Sequence, residues 1–153
     1  MMFTIIRFFS LIVAALLAGT SFGLWMGIDP KQFSPPAFVE LQQNLVNALN
    51  TLMVSLVVLG TALTLIDGFL NRKHKSTSIY LFFASASFIS CILISRFGNT
   101  PIQLQMLSWN ATTLPSDWTS LRDQWWLLHK IRTINEITAL VLICWVSLFK
   151  PIR

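Results

Sequence analysis

Residues 45–66 read LVNALNTLMVSLVVLGTALTLI, 22 positions without a charged side chain, closed by Asp67. At about 1.5 Å per residue, a helix of this length covers the ~30 Å hydrocarbon core of a bilayer. The run therefore predicts a membrane-spanning helix. On its N-terminal side, residues 8–28 are also free of charge, and on its C-terminal side so are residues 78–95, ended by Arg96. A fourth span over 125–149 is less uniform. Only Ile137 to Phe149 lacks both charge and histidine, which is too short to cross. The apolar texture resumes upstream in Trp125, Trp126, Leu127 and Leu128, so a full crossing must take in His129, Lys130, Arg132 and Glu136. The expected fold is all-α: one integral membrane four-helix bundle over residues 1–153, with an outer loop and an extended fourth helix.

Composition agrees. Charged residues make up 11% of the chain, against about 25% in soluble domains, and the mean hydropathy is +0.66. Disorder, collagen and coiled coil are excluded by the apolar content and the lack of any matching repeat. The net charge of +5 does not point to nucleic acid, because the basic residues cluster at the ends of apolar runs, where they orient helices in a bilayer. Cys91 and Cys144 lie inside apolar runs and are expected as small buried residues. No metal or cofactor is expected: His74 and His129 fall on opposite membrane sides, and no phosphate loop, nucleophile elbow or Cys-x-x-Cys pair occurs. The first apolar run continues through Phe22, Leu24, Trp25 and Met26. It exceeds the 7–15 residues of a signal-peptide core, which predicts a retained helix.

The short basic loop Asn71-Arg72-Lys73-His74-Lys75 predicts a cytoplasmic face, with both termini on the same side of a plasma (inner) membrane. Arg7, Arg72, Lys73, Lys75, Lys150 and Arg153 then lie inside, against Lys31, Arg96, Arg122, Lys130 and Arg132 outside. Trp25, Trp109, Trp118, Trp125 and Trp126 gather at the outer end and Trp145 near the inner one. The first helix carries Ala15, Gly19, Gly23 and Gly27 at four-residue spacing. Small residues so placed let another helix approach closely, either within the chain or from a second copy in a homo-oligomer. Asp29-Pro30 and Ser34-Pro35-Pro36 end this helix.

The fourth helix holds the chemistry-bearing residues. Ser116 is its expected N-cap. Arg122, Trp125, His129, Arg132 and Glu136 recur at three- and four-residue steps and so share one face. Counted back from Lys150, Glu136 sits ~10 Å below the outer surface, with Arg132 one turn above it and His129 nearer the interface. Asn47 and Asn50 reach the same level on the second helix, below Gln42, Gln43 and Asn44. The third helix is expected to end at Arg96, before Gly98-Asn99-Thr100-Pro101. Two readings of this cluster stand side by side. In one, Arg132 and Glu136 form an i,i+4 pair and the amides are interhelical glue in a non-enzymatic accessory subunit, or in a lipid- or quinone-binding protein. In the other, the cluster lines a pocket toward the outer leaflet, where His129 moves protons and Arg132 holds an oxyanion.

The stretch Arg96-Phe97-Gly98-Asn99-Thr100-Pro101-Ile102-Gln103, followed by Trp109, Asp117-Trp118, Leu121-Arg122-Asp123-Gln124-Trp125, His129 and Arg132-Thr133, resembles the anthrone-oxygenase-like family of small four-helix membrane proteins. Gly27-Ile28-Asp29-Pro30 and Gln42-Gln43 are also similar. The resemblance implies oxidation of an anthrone-like aromatic molecule by O₂ without metal or flavin. It also implies roles for His129 as base, for Arg132 and Asn99 at the oxyanion, and for Trp125 at the substrate. The family often has a second Asn where this chain has Gln103. Gln103, Asn47, Asn50, Arg96 and Glu136 complete the expected substrate-binding set. The expected partners are membrane lipids and a hydrophobic aromatic small molecule.

Overall fold

The computed structural model describes residues 2–110 and 112–150; Arg153, assigned above to the inner side, lies outside them. Helix α1 spans Met2–Gly27, followed by a single 3₁₀ turn at Pro30–Gln32. Helix α2 spans Pro35–Leu70 and α3 Lys75–Ile94. A π-helical segment, Ser95–Asn99, leads without a break into α4, Thr100–Leu107, and α5 covers Trp118–Phe149. Because α3, the π segment and α4 form one continuous rod, the described residues make four rods, each long and apolar enough to cross a membrane. The chain is an all-α, integral membrane four-helix bundle.

Local chemistry explains most of the boundaries. Between α1 and α2, Asp29 accepts a hydrogen bond from the backbone N–H of Lys31 at 3.1 Å, and Pro30 opens the turn with a φ already suited to it. Pro35 and Pro36 occupy the first turn of α2, where a missing N–H costs nothing. The first turn of α5 begins at Trp118, with Asp117 and not Ser116 at the capping position, and Asp117 makes no side-chain cap.

One expected helix end is overturned, and another helix outruns its uncharged stretch. Helix α2 does not stop with its uncharged run at Ile66 but continues to Leu70. Asp67 is fully buried and its Oδ2 accepts from Arg7 Nε at 2.9 Å. Asn71 Nδ2 donates to Asp67 Oδ1 at 2.7 Å. The carboxylate is neutralised inside the bundle, so the helix has no need to bring it to water. Helix α3 does not end at Arg96 either. The π segment widens the backbone just before Pro101, and that widening takes up the clash a proline ring makes with the carbonyl four residues back.

The middle of the bundle packs as an apolar core of Val13, Ala14, Leu17, Val57, Ala84, Phe88, Cys91, Ala139 and Ile143. There α2 and α3 approach closely. A Cβ on Gly60 would lie 3.2 Å from a Phe88 ring atom, and Ser85 Oγ donates to Thr64 Oγ1 at 2.7 Å. At the end away from the termini Phe38 is surrounded by Trp109, Trp118 and Trp125, with ring centroids 6.0–6.5 Å apart. The small-residue face of α1 does not serve intrachain packing. Ala15, Gly19, Gly23 and Gly27 are exposed, and a Cβ on any of the three glycines would meet nothing within 4 Å. The buried face of α1 is Val13, Ala14, Leu17, Ala18 and Ser21, about a quarter-turn or more round the helix.

Candidate functional site

His129, Thr133 and Glu136 are buried on one face of α5. His129 is only 2% exposed. Its Nε2 lies 3.2 Å from the carbonyl oxygen of Ser21 on α1. A carbonyl can only accept, so Nε2 carries a proton, and in the neutral imidazole Nδ1 is then the acceptor. The imidazole stacks on Trp126, with centroids 5.1 Å apart and planes 9° from parallel, and on Trp125 at 5.9 Å. The ring is thereby fixed in both position and tautomer.

Arg132 Nε stands 3.4 Å from Glu136 Oε1, an i,i+4 ion pair. Arg132 Nη1 donates to Ser95 Oγ at 3.3 Å, linking α5 to the π segment. Cys91 Sγ reaches the Arg132 carbonyl at 3.5 Å. The pair is incompletely bonded. Arg132 Nε and Glu136 Oε2 lack hydrogen bonds of good geometry, and the Ser21 hydroxyl, itself without another partner, lies beside the Glu136 carboxylate.

These groups border a cavity of about 180 Å³ between α2, the α3–α4 rod and α5. Of the nine residues expected at the site, seven line it: Trp125, His129, Arg132 and Glu136 from α5, Arg96 and Gln103 from the α3–α4 rod, and Asn50 from α2. Two do not. Asn47 is exposed on α2 and away from the cavity. Equal depth along a helix does not give equal azimuth, and Asn47 lies on another side. Asn99 is buried in the π segment with its Oδ1 unpartnered, and it is not part of the cavity wall.

Sequence reasoning missed Gln42, Ser95 and Thr100, which also line the cavity. Gln42 is 1% exposed, and neither its amide oxygen nor its amide nitrogen has a hydrogen-bond partner. The signal was available. Gln42, Val46, Leu49, Met53 and Val57 follow one another at three- and four-residue steps, so Gln42 continues an inward-facing apolar stripe.

The exposed residues of the lining are Asn50, Val54 and Val58 on α2 and Arg96 on the π segment. The cavity therefore opens sideways between α2 and the α3–α4 rod. Below the opening, the Gly60–Phe88 and Thr64–Ser85 contacts close that seam. Above it, Gln43 Nε2 donates to the carbonyls of Leu107 and Trp109 at 3.3 and 3.1 Å.

Chemically, the site offers an imidazole fixed by its Nε2 contact, a guanidinium with spare donor capacity and a carboxylate beside the Ser21 hydroxyl. Among the described residues, no three His, Cys, Asp or Glu side chains come together as a metal site. No protein-family model, curated protein or solved structure matches the chain.

Proposed function

We propose that this membrane protein is a small-molecule enzyme, a cofactor-independent oxygenase acting on an anthrone-like aromatic with an activated C–H bond. The observation that carries this reading is His129: buried, held by stacking and by the Ser21 carbonyl, and lining a cavity with Nδ1 free. A structural histidine would have both nitrogens satisfied. The resemblance of Arg96–Thr133 to the anthrone-oxygenase-like family supports the same reading.

In the reaction, His129 Nδ1 removes a proton from the substrate CH₂ group, and Arg132 stabilises the negative charge that moves onto the substrate oxygen. The carbanion passes one electron to O₂. Recombination of the two radicals forms a peroxide, which takes a proton back from His129. Loss of the second C–H proton and cleavage of O–O leave a carbonyl and water, so that CH₂ + O₂ becomes C=O + H₂O. An accessory subunit would show mutually satisfied polar groups, whereas neither polar atom of the Gln42 amide has a partner. The cavity would face the outer leaflet of the plasma (inner) membrane, with both termini cytoplasmic, in keeping with the basic loop at 72–75.

Incubation of the detergent-purified protein with anthrone under ¹⁸O₂ tests this. Anthraquinone carrying one labelled atom should form. His129→Phe, which keeps the aromatic stacking, should lower the rate by about 10²- to 10⁴-fold. Equal rates for the two proteins would overturn the reading.

A further inference from the structure

We infer that the cavity draws its ligand from the bilayer, and that Gln42 reads a neutral, single-ring head group carrying a hydroxyl. This inference rests on the cavity being a ligand pocket, not on oxygenation taking place in it.

The recognition groups come first. A buried primary amide can donate twice and accept twice, and Gln42 does neither with any described residue. Buried polar atoms in native structures are almost always paired. An orphaned amide on a cavity wall is therefore a group awaiting its complement. Glu136, across the cavity on α5, has the Ser21 hydroxyl beside its carboxylate, which leaves Gln42 as the fully orphaned group of the lining. A hydroxyl is the smallest group that answers both atoms of the amide, because it accepts from Gln42 Nε2 and donates to Gln42 Oε1.

Charge and size narrow the class. Arg132 and Glu136 neutralise each other at 3.4 Å, and the remaining ionic group of the wall, Arg96, is at the exposed lip. The interior thus carries no net charge with which to hold an ion. An apolar cavity of about 150 Å³ holds one benzene, so about 180 Å³ holds one ring. The rest of a larger molecule must lie in the opening.

That opening has an apolar sill. Val54 and Val58 belong to the uncharged run 45–66, and both are exposed while lining the cavity. An exposed valine in the middle of a membrane-spanning segment faces lipid tails. With the seam closed below by Gly60–Phe88 and bridged above by Gln43, the ligand's route is sideways. The head enters first and an alkyl tail or further rings trail between α2 and α3.

Equilibrium binding of tritiated 4-decylphenol to the protein in phosphatidylcholine nanodiscs tests the inference, with empty discs as baseline. We expect saturable binding of one molecule per chain. The methyl ether, 4-decylanisole, keeps the ring and tail but cannot donate, and should compete about tenfold more weakly. Gln42→Leu should weaken 4-decylphenol by about tenfold or more, and Val54→Trp at the sill should slow its association. No saturable binding above empty discs would overturn the inference. So would equal competition by the phenol and the ether with the wild-type protein, since that is the behaviour of a merely water-filled cavity. Binding of 4-decylphenol with no His129-dependent oxidation of anthrone would sink the proposed reaction and leave this inference standing. Turnover of anthrone that depends on His129, without 4-decylphenol binding, would do the reverse.

Discussion

Arg7 and Asp67 show what a charge does when a helix carries it into the bundle. Arg7 is 3% exposed and Asp67 not at all, and two hydrogen bonds join them at 2.9 and 3.3 Å. A third arm of the guanidinium reaches the Lys150 carbonyl at 3.4 Å, so the pair also ties α1 to the end of α5. Removing one partner strands the other charge. Asp67→Ala should destabilise the protein by ~3–5 kcal/mol, whereas the double replacement Arg7→Met with Asp67→Leu should recover most of the loss. Denaturant titration in mild detergent, followed by far-UV circular dichroism, measures both. A double variant no more stable than the single one would show that the pair has a role beyond its charge. Neither residue could be assigned to a buried pair from sequence. Arg7 precedes an apolar run and Asp67 follows one, the pattern of interfacial charges, and only the distance between them across 60 positions reveals the partner. The polar face of α5 was legible because it is local: Trp125, His129, Arg132 and Glu136 share it by helical spacing alone, and all four line the cavity. Asn47 was misplaced because depth was counted without rotation, and Gln42 was passed over among three neighbouring amides.

The elements themselves were legible as spans, since uncharged runs near the length of a bilayer crossing leave few alternatives. Their packing faces were not. The four-residue ladder of small side chains on α1 is a genuine helical stripe, but it points away from the other helices. The stripe that packs is the adjacent one through Ala14, Ala18 and Ser21, also built of small residues. Two such stripes on one helix cannot be ranked without knowing where the neighbours lie. The difference is measurable. Gly23→Leu should change stability by no more than ~0.5 kcal/mol, or raise it slightly, because a mid-helix glycine is itself unfavourable by ~0.5–1 kcal/mol. Gly60→Leu should cost ~1–3 kcal/mol or more, because Phe88 and Val13 already stand 3.2–3.3 Å from where a Cβ would go. Thermal melting in detergent compares them, and similar losses for both would show that α1 is partnered on its glycine side. The join between α3 and α4 was misread for a different reason. Gly98-Asn99-Thr100-Pro101 has the composition of a loop, yet the chain keeps winding through it. Gly98 earns its place by bringing the π segment against Leu128, where a Cβ would sit 2.8 Å from Cδ1.

For the whole molecule, the even number of rods brings residues 2 and 150 to one end, the end that also holds the basic turn at 72–75. Single cysteines at Ser76 and Thr112, both exposed and at opposite ends, report which end faces out once Cys91 and Cys144 are replaced. A membrane-impermeant maleimide added to intact cells should label position 112 alone, and label at 76 alone would reverse the orientation. The lengths of α2 and α5, 36 and 32 residues, correspond to roughly 54 and 48 Å, well beyond ~30 Å of hydrocarbon. Tilt, or protrusion past the lipid headgroups, must absorb the difference.

The ring of indoles around Phe38 has an optical consequence. Trp109, Trp118, Trp125 and Trp126 lie at the end away from the termini, as does Trp25 near the end of α1, while Trp145 is alone at the other. Ultraviolet emission is therefore dominated by one half of the bundle, whereas helical ellipticity averages over its full length. The emitting half contains the Gln42 amide and the mouth of the cavity, and the other half contains the Thr64–Ser85 contact and the Arg7–Asp67 pair. On heating, the emission should shift to the red several degrees before the helices melt. Occupancy of the cavity should bring the two transitions together.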